Sequence, residues 1–277
     1  MFKLSVELPY YGNVWVEELT NRQLFTIVKY CVAGDVEGFS NYINETIFSR
    51  LPPLNIIDKF YLLLFLRSFY VGDILELSIK HEKVKYMEFY MDTILEKIES
   101  LPKIENKQVK IDQFAVELGL PSSLYFKSGE LIVYDCVKSL HIGGDTFDIS
   151  KLSEQDKDNV LSLLPPKLSV NIQDFFNYVV TKITKVELIK GYPQYELEEV
   201  IVKPISNDPL YFAMSLFTQD MSAFLNFMYM FVNKVGGTFN DFFDLTFNDS
   251  KIIFDFYKEE MIKQNESVNG NKNQPVE

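Results

Sequence analysis

Histidine and cysteine are scarce, because the 277 residues contain only two of each, at Cys31, Cys136, His81 and His141. A structural zinc site needs about four nitrogen or sulfur ligands, usually supplied as local pairs. These four residues stand singly along the chain, so we predict no metal site. There is also no CxxC pair and no disulfide framework, which is typical of a reducing compartment.

Motifs of the common enzyme classes are missing too. The sequence contains no GxGxxG, GxxxxGK[ST], HExxH or GxSxG, and two histidines leave little material for general acid–base catalysis. We predict a protein with no catalytic residues and no cofactor. The alternative is a small-molecule enzyme, or a cytoplasmic adaptor, with an unrecognised pocket near Cys136 and His141. A nucleophilic cysteine needs an electropositive setting, whereas Cys136 lies among apolar residues.

Positive charge is limited as well. The chain has 27 Lys and Arg residues against 39 Asp and Glu residues, for a formal net charge of −12. Arg22, Arg50 and Arg67 are its three arginines, and no basic cluster occurs. Proteins that bind nucleic acid rely on clustered lysine and arginine, because phosphate contacts supply much of the affinity. We therefore expect no nucleic acid partner.

Long uninterrupted apolar runs are also lacking. Residues 210–232 are strongly hydrophobic, but Gln219, Asp220 and Asn226 interrupt them. A membrane-spanning helix needs about 20 apolar residues, and a central aspartate is costly in lipid. The opening MFKLSVELPYYGN has neither the charged region nor the apolar region of a signal peptide. We expect a soluble protein without a membrane partner.

Aromatic side chains, in contrast, are abundant. Hydrophobic residues make up 47% of the sequence and aromatic residues 15%, including 24 Phe and 16 Tyr. This composition is typical of a folded protein, and its large side chains must either fill a core or contact partners. The hydrophobic spacing predicts an α+β fold that is predominantly helical, with small antiparallel β-hairpins inserted between helix groups.

We predict two domains. Residues 1–150 would form an N-terminal α+β domain with a hairpin, three helices and a β-rich segment. Residues 151–264 would form a mostly helical domain with a β-hairpin near 185–203. Residues 265–277 are polar and without periodicity, and are predicted to be a disordered tail.

Local signals place the individual elements. Thr20 and Gln23 predict a capping box, and Asn55, Ser153, Asn171 and Thr246 are predicted to begin four further helices. Gly34, the Pro165–Pro166 pair and Gly236 are predicted to end helices, and the last helix is predicted to end near Lys263. The segment GGDTFD at 143–148 is predicted to be a loop. The segment ELIVYDCVKSLHI before it fits either a strand or a helix.

Arg67 is the one charged residue in the strongly apolar segment DKFYLLLFLRSFYVGDILELSI. In one interpretation its stem covers apolar surface, while its guanidinium meets the C-terminal carbonyls of its helix and nearby Asp73 or Glu76. In the other, it holds this helix against a second chain. Cations in the last turn of a helix are common, which favours the first interpretation.

A second candidate interface lies in FLNFMYMFVNKVGGTFNDFFDLTF, near the end of the chain. A helical stripe that includes Phe224, Leu225 and Met228 is predicted to face inward. Aromatic residues fall on the other faces, so the segment is either wrapped by its own domain or contacts a partner. With Arg67, the predicted interface residues are Phe227, Tyr229, Phe231, Phe242 and Phe243.

The order of these elements resembles that of a phage protein family. LPYYGNVWVEELTNRQ followed by IIDKFYLLLFLRSFYVGDILELSI is similar to an N-terminal pattern of a hairpin, a helix with an arginine, a glycine and a strand. The matching positions are Leu8, Pro9, Gly12, Arg67 and Gly72. DCVKSLHIGGDTFDISKLSEQDKDNVLSLLP and FLNFMYMFVNKVGGTFNDFFDLTFNDSKIIFDFYKEE are similar to the mid-chain and C-terminal parts. The family comprises the baseplate hub subunits and hub assembly proteins of T-even-like contractile-tailed bacteriophages.

This resemblance implies a non-enzymatic structural or assembly role in the tail baseplate, either in the virion or in the host cytoplasm during assembly. The partners would be other baseplate and tail proteins, and self-association into a homo-oligomer stays open. Some relatives carry extra cysteines beside the hairpins. This sequence has only His81 there, so no metal is carried over.

Overall fold

A computed structural model describes residues 3–80, 84–125, 133–149, 152–182, 186–189, 200–202, 208–218 and 221–271. The strands are β1 (Lys3–Leu8), β2 (Gly12–Glu17), β3 (Ile74–Lys80), β4 (Val84–Tyr90), β5 (Lys107–Ile111), β6 (Phe114–Leu118), β7 (Val137–Ile142), β8 (Asp145–Asp148), β9 (Val186–Ile189) and β10 (Val200–Val202). The helices are α1 (Asn21–Ala33), α2 (Val36–Thr46), α3 (Ile56–Val71), α4 (Met91–Glu99), α5 (Glu154–Ser162), α6 (Pro166–Lys182), α7 (Asp208–Thr218), α8 (Met221–Met230), α9 (Phe239–Asp244) and α10 (Phe247–Asn271). A 3-10 turn lies at Phe48–Arg50, and a π-helical turn lies at Phe231–Val235. The predicted α+β class, mostly helical with small antiparallel sheets, is confirmed.

In the first 71 residues, the observed elements begin and end where the local sequence predicts. Strands β1 and β2 pair antiparallel, as predicted for the opening hairpin. Thr20 and Gln23 form both bonds of the capping box, and Gly34 ends α1 in the left-handed conformation, with φ 67°. Asn55 caps α3 by accepting the N–H groups of Ile57 and Asp58. The carboxylate of Asp58 in turn accepts the Tyr10 N–H at 2.8 Å, which ties the hairpin turn to α3.

Helix α3 lies at the centre of the fold. Eleven of its sixteen residues are buried, and its apolar side chains belong to one core that draws residues from both halves of the sequence. A helix that is apolar on nearly every side needs neighbours on every side. Helix α4, strand β1 and helix α7 are among those neighbours. The predicted domain boundary at residue 150 stays a prediction. Helices before and after it contribute buried side chains to the same core.

The sheets are small and antiparallel. β1–β2, β3–β4 and β9–β10 are two-stranded, and β5-β6-β7-β8 is a four-stranded meander. The loop predicted at GGDTFD is wrong, because Asp145–Asp148 forms β8 and pairs with β7. Gly143 and Gly144 have φ 60° and 109°, so they form the two-residue turn between these strands. The tip at 81–83 and the hairpin centre at 190–199 lie outside the described residues.

The proline pair acts at two helix boundaries. Helix α5 ends at Ser162, before Pro165–Pro166 as predicted, and Pro166 then begins α6, since the first helical position needs no backbone N–H partner. Two other predicted boundaries, the start of α6 and the end of α10, are wrong. Asn171, predicted to cap α6, lies inside it, and its side chain donates to the Lys167 carbonyl at 2.8 Å. The last helix, which Thr246 caps as predicted, runs to Asn271 rather than ending near Lys263. Residues 272–277 of the predicted tail lie outside the described part of the chain.

A hydrogen-bonded seam joins the start of α1 to the start of α10. We use this name for the contacts of residues 18–21 with residues 242–250. Asn21 N–H donates to the Leu245 carbonyl at 2.9 Å, and Phe247 N–H donates to the Leu19 carbonyl at 3.3 Å. The Asn21 side-chain amide donates to the Phe242 carbonyl at 2.9 Å and to the Ser250 hydroxyl at 3.0 Å. The seam therefore places two helix N-termini side by side.

Glu18 is the buried acid of this seam. Its side chain is 2% exposed, and its carboxylate accepts the Asn248 N–H in the first turn of α10 at 2.8 Å. Burial raises the pKa of Glu18, the Asn248 N–H opposes that rise, and Asp249 adds to it. The partial positive charge of a helix N-terminus partly offsets the cost of burying a carboxylate.

We expect the contribution of Glu18 to stability to grow as the pH falls. Between the ordinary glutamate pKa and its raised value in the folded state, the native protein binds a proton that the unfolded chain does not. Glu18→Gln keeps the acceptor for Asn248 but cannot titrate. Denaturant unfolding of both proteins from pH 8 to pH 4.5 measures the difference. The wild type should gain stability relative to Glu18→Gln on acidification, and a constant or opposite difference would contradict this account.

Candidate interaction surfaces

Arg67 lies inside the protein rather than on a surface. It is 2% exposed. Its guanidinium donates to the carbonyl of Gly72, at the end of its own helix, and to the Ile74 carbonyl at 3.5 Å. This is the carbonyl contact of the first interpretation, and the nearby Asp73 carboxylate accepts the Ser68 hydroxyl. Arg67 therefore holds the turn that releases α3 into β3.

We expect Arg67→Met to lower the free energy of unfolding by about 1.5–3 kcal/mol, because the apolar stem is kept while the charged hydrogen bonds from the buried guanidinium to two backbone carbonyls are lost. Arg50→Met is the matched control. Arg50 is half-exposed and pairs with Glu17 at the surface, so its loss should cost no more than about 1 kcal/mol. Urea unfolding measures both values, and equal losses would show that the buried contact has no special role.

Phe242 is the centre of an aromatic cluster near the C-terminal end of the chain. It is fully buried, and its ring centroid lies 5.4–5.8 Å from those of Phe224, Phe227, Phe231 and Phe243. Ring pairs at such distances add about 0.5–1.5 kcal/mol beyond their area burial. Most aromatic side chains of this segment therefore pack against other residues of the same chain.

The predicted interface residues fall into two groups. Arg67, Phe231 and Phe242 are at most 4% exposed and contact this chain's own interior. An interface role for these three stays a prediction that would need the interior to open. Phe227 and Phe243 are half-buried, and Tyr229 is 61% exposed. Leu225, predicted to face inward, is 40% exposed, so that part of the predicted stripe is wrong.

An apolar groove opens where α1, α3, α7, α8 and α10 meet. We call it the aromatic groove. Its cavity volume is about 300 Å³. Its lining consists of Leu24, Val28, Tyr70, Val71, Phe217, Phe224, Phe227, Phe247 and Phe254, with Lys251, Asp255 and Lys258 at the rim. Among the predicted interface residues, the groove includes Phe227.

Sequence reasoning missed most of this groove. The apolar spacing of each helix shows that one face is buried, but five helices from distant parts of the chain build the cavity. Lys251, Asp255 and Lys258 recur at intervals of four and three residues, which places them on one face of α10. This spacing is the one feature of the local sequence that could have predicted the rim.

Cys136 and His141 do not form a catalytic pair. Cys136 is fully buried, and this burial raises the pKa of its thiol to about 12. His141 instead faces a separate polar cleft of about 710 Å³, whose lining does not include Cys136. Its Nδ1 lies 2.8 Å from the Thr146 hydroxyl and its Nε2 lies 3.3 Å from the Ser139 hydroxyl. The geometry disfavours the enzyme alternative at these residues.

We expect neither cysteine to react in the native protein. Burial raises the pKa of Cys31 to about 12, as it does for Cys136, so almost no thiolate is present near neutral pH. Iodoacetamide at pH 7.5 followed by intact-mass measurement should show no label in buffer and two labels in guanidinium chloride. Rapid native labelling of Cys136 would revive the nucleophile hypothesis.

Two further features bear on the class of protein. Within the described ranges, no three His, Cys, Asp or Glu side chains come together in a way that could hold a metal ion. None of the helices in those ranges combines the length and the apolar character needed to cross a bilayer.

The arrangement defines an α+β protein with an apolar interaction groove. Over residues 13–189, more than half of the chain, the sequence matches the family described as T4 bacteriophage base plate protein. The chain belongs to this family, and it is a structural baseplate protein of a T4-like bacteriophage. No curated protein and no solved structure gives a significant match.

Proposed function

We propose that this protein is a component of the baseplate hub, or an assembly factor for the hub, that acts through protein–protein contacts and without catalysis. The observation that carries the proposal is the baseplate family match over residues 13–189. The hub assignment is supported by the resemblance at Leu8, Pro9, Gly12, Arg67 and Gly72. Leu8, Pro9 and Gly12 lie at the turn between β1 and β2, and the Arg67 guanidinium donates to the Gly72 carbonyl.

The surface fits a protein that associates selectively. The net charge of −12 limits unspecific association, while the aromatic groove offers the type of apolar pocket in which a few desolvated anchors supply most of the binding energy. The partners would be other baseplate proteins. The site of action would be the virion tail, or the host cytoplasm if the protein acts only during assembly.

Co-expression tests this proposal. The full chain is produced together with each baseplate protein of the same phage, and complexes are measured by size-exclusion chromatography with light scattering. We expect a stoichiometric complex with at least one hub protein. A chain that binds none of the baseplate proteins would contradict the proposal. Binding only to baseplate proteins outside the hub would contradict the hub assignment alone.

Mass spectrometry of purified virions then separates the two forms of the proposal. A resident hub component should be present at constant copy number, whereas an assembly factor should be present in infected cells and absent from the particle.

A further inference from the structure

The aromatic groove has a buried floor and an open mouth. Leu24, Val28, Tyr70, Phe217 and Phe224 form the floor, and each is buried. Val71, Phe227, Phe247 and Phe254 are half-buried at the mouth. Because this lining is apolar, water in the groove gains few hydrogen bonds and is displaced readily by an apolar group. The groove therefore favours an apolar occupant.

Apolar surface continues from the groove along two helices. On α1, the stripe of Leu24 and Val28 extends by one turn to Val32, which is 61% exposed. On α10, Ile262 follows Lys258 by one turn and is 57% exposed. Residues four apart are neighbours on a helix surface, so both exposed side chains continue the groove's lining. An occupant would thus cover more surface than the cavity alone.

The rim carries a local excess of positive charge. Lys251 and Lys258 lie two turns apart on α10, with Asp255 between them, so these three side chains have a net charge of +1. The Lys258 ammonium lies 4.7 Å from the centroid of the Phe254 ring, which keeps it at the mouth. In a chain with a net charge of −12, such a rim selects for an acidic neighbour beside an apolar anchor.

A second copy of the chain fits this groove poorly. The exposed apolar residues Ile252 and Phe256 of α10 are candidate anchors. Phe256 follows Phe254 by two residues, which turns it by about 160° to the other side of the helix. One copy would then insert its far side into the groove of the next, and such head-to-tail contacts form rings or open chains rather than a two-fold dimer.

We propose that the aromatic groove receives an apolar or aromatic side chain from a segment of another baseplate protein, with an acidic residue beside that anchor meeting Lys251 or Lys258. The inference rests on the proposed function and specifies the chemistry of the partner. The groove supplies most of the affinity, and the lysines supply selectivity and a faster association rate.

The test uses the full chain and the baseplate protein that binds it in the co-expression experiment. Lys251→Glu with Lys258→Glu reverses the rim charge at exposed positions, and Val71→Trp fills the groove mouth. Lys167→Glu with Lys182→Glu, on α6, is the matched control, with the same change in total charge at exposed positions away from the groove. Circular dichroism melting shows whether each variant folds, and the rim variant keeps the test valid if Val71→Trp does not fold.

Calorimetry of each complex gives the affinity. We expect the affinity of the rim variant for the partner to fall by at least about tenfold, and to depend less on salt than that of the wild type. Folded Val71→Trp should lose binding, and the control should stay within about twofold of the wild type. Replacement of the partner's acidic residue with lysine should restore binding to the rim variant.

The remaining outcomes overturn the inference in distinguishable ways. If the wild type binds a hub protein and the groove variants bind it equally well, the groove inference fails while the proposed function stands. If the wild type binds no baseplate protein, both fail. Oleate binding that Val71→Trp abolishes, with partner affinity unchanged, would assign the groove to an amphiphile. Concentration-dependent self-association that the same variants abolish would assign it to a second copy.

Discussion

The seam between the starts of α1 and α10 is the contact on which the rest of the C-terminal structure depends. Thr20 and Thr246 cap these two helices and also form a β-bridge with each other, so both helices begin at one place. That shared origin fixes where α10 starts beside α1, and ring contacts of Phe247 with Tyr70 and of Phe254 with Phe227 place it against α3 and α8. The aromatic groove therefore depends both on the hydrogen bonds of the seam and on these ring contacts. Two buried polar side chains, Glu18 and Asn21, complete the seam.

Much of the fold could be predicted because its helix boundaries are encoded locally. Thr20 with Gln23, Asn55 and Ser153 each supply an oxygen to an N–H within three residues, so the signal lies inside a single turn. The failures are local as well. Asn171 is predicted to cap α6, but Pro166, five residues earlier, already begins this helix, so the asparagine lies inside it. Gly143 and Gly144 suit a loop or a tight hairpin turn, and only the pairing of β8 with β7 decides between them.

The candidate site was harder to predict because its determinants lie far apart in sequence. Apolar spacing correctly indicated that Phe224 is buried, but not that its ring packs between Phe25 of α1 and Phe242 of α9. The same spacing wrongly placed Leu225 inward, since a helix covered from one direction leaves neighbouring positions in solvent. Glu18 and Asn21 gave no signal at all, because a polar residue near the start of a helix is normally exposed. Their burial follows only from the arrival of residues 242–250.

That arrangement has a consequence for how the molecule is made. Helix α1 can cap itself as soon as it leaves the ribosome, but the C-terminal helices that complete the groove around Leu24 and Val28 are synthesised only in the last quarter of the chain. Closing a loop of more than 200 residues costs only modestly more entropy than closing a short one, but contacts at this sequence separation form slowly. Until then a nascent chain lacks part of the cover over this apolar face of α1, and the uncovered part can associate wrongly with neighbouring chains. The groove is absent from any chain that stops before α10, so only a finished molecule presents the surface on which selective association depends.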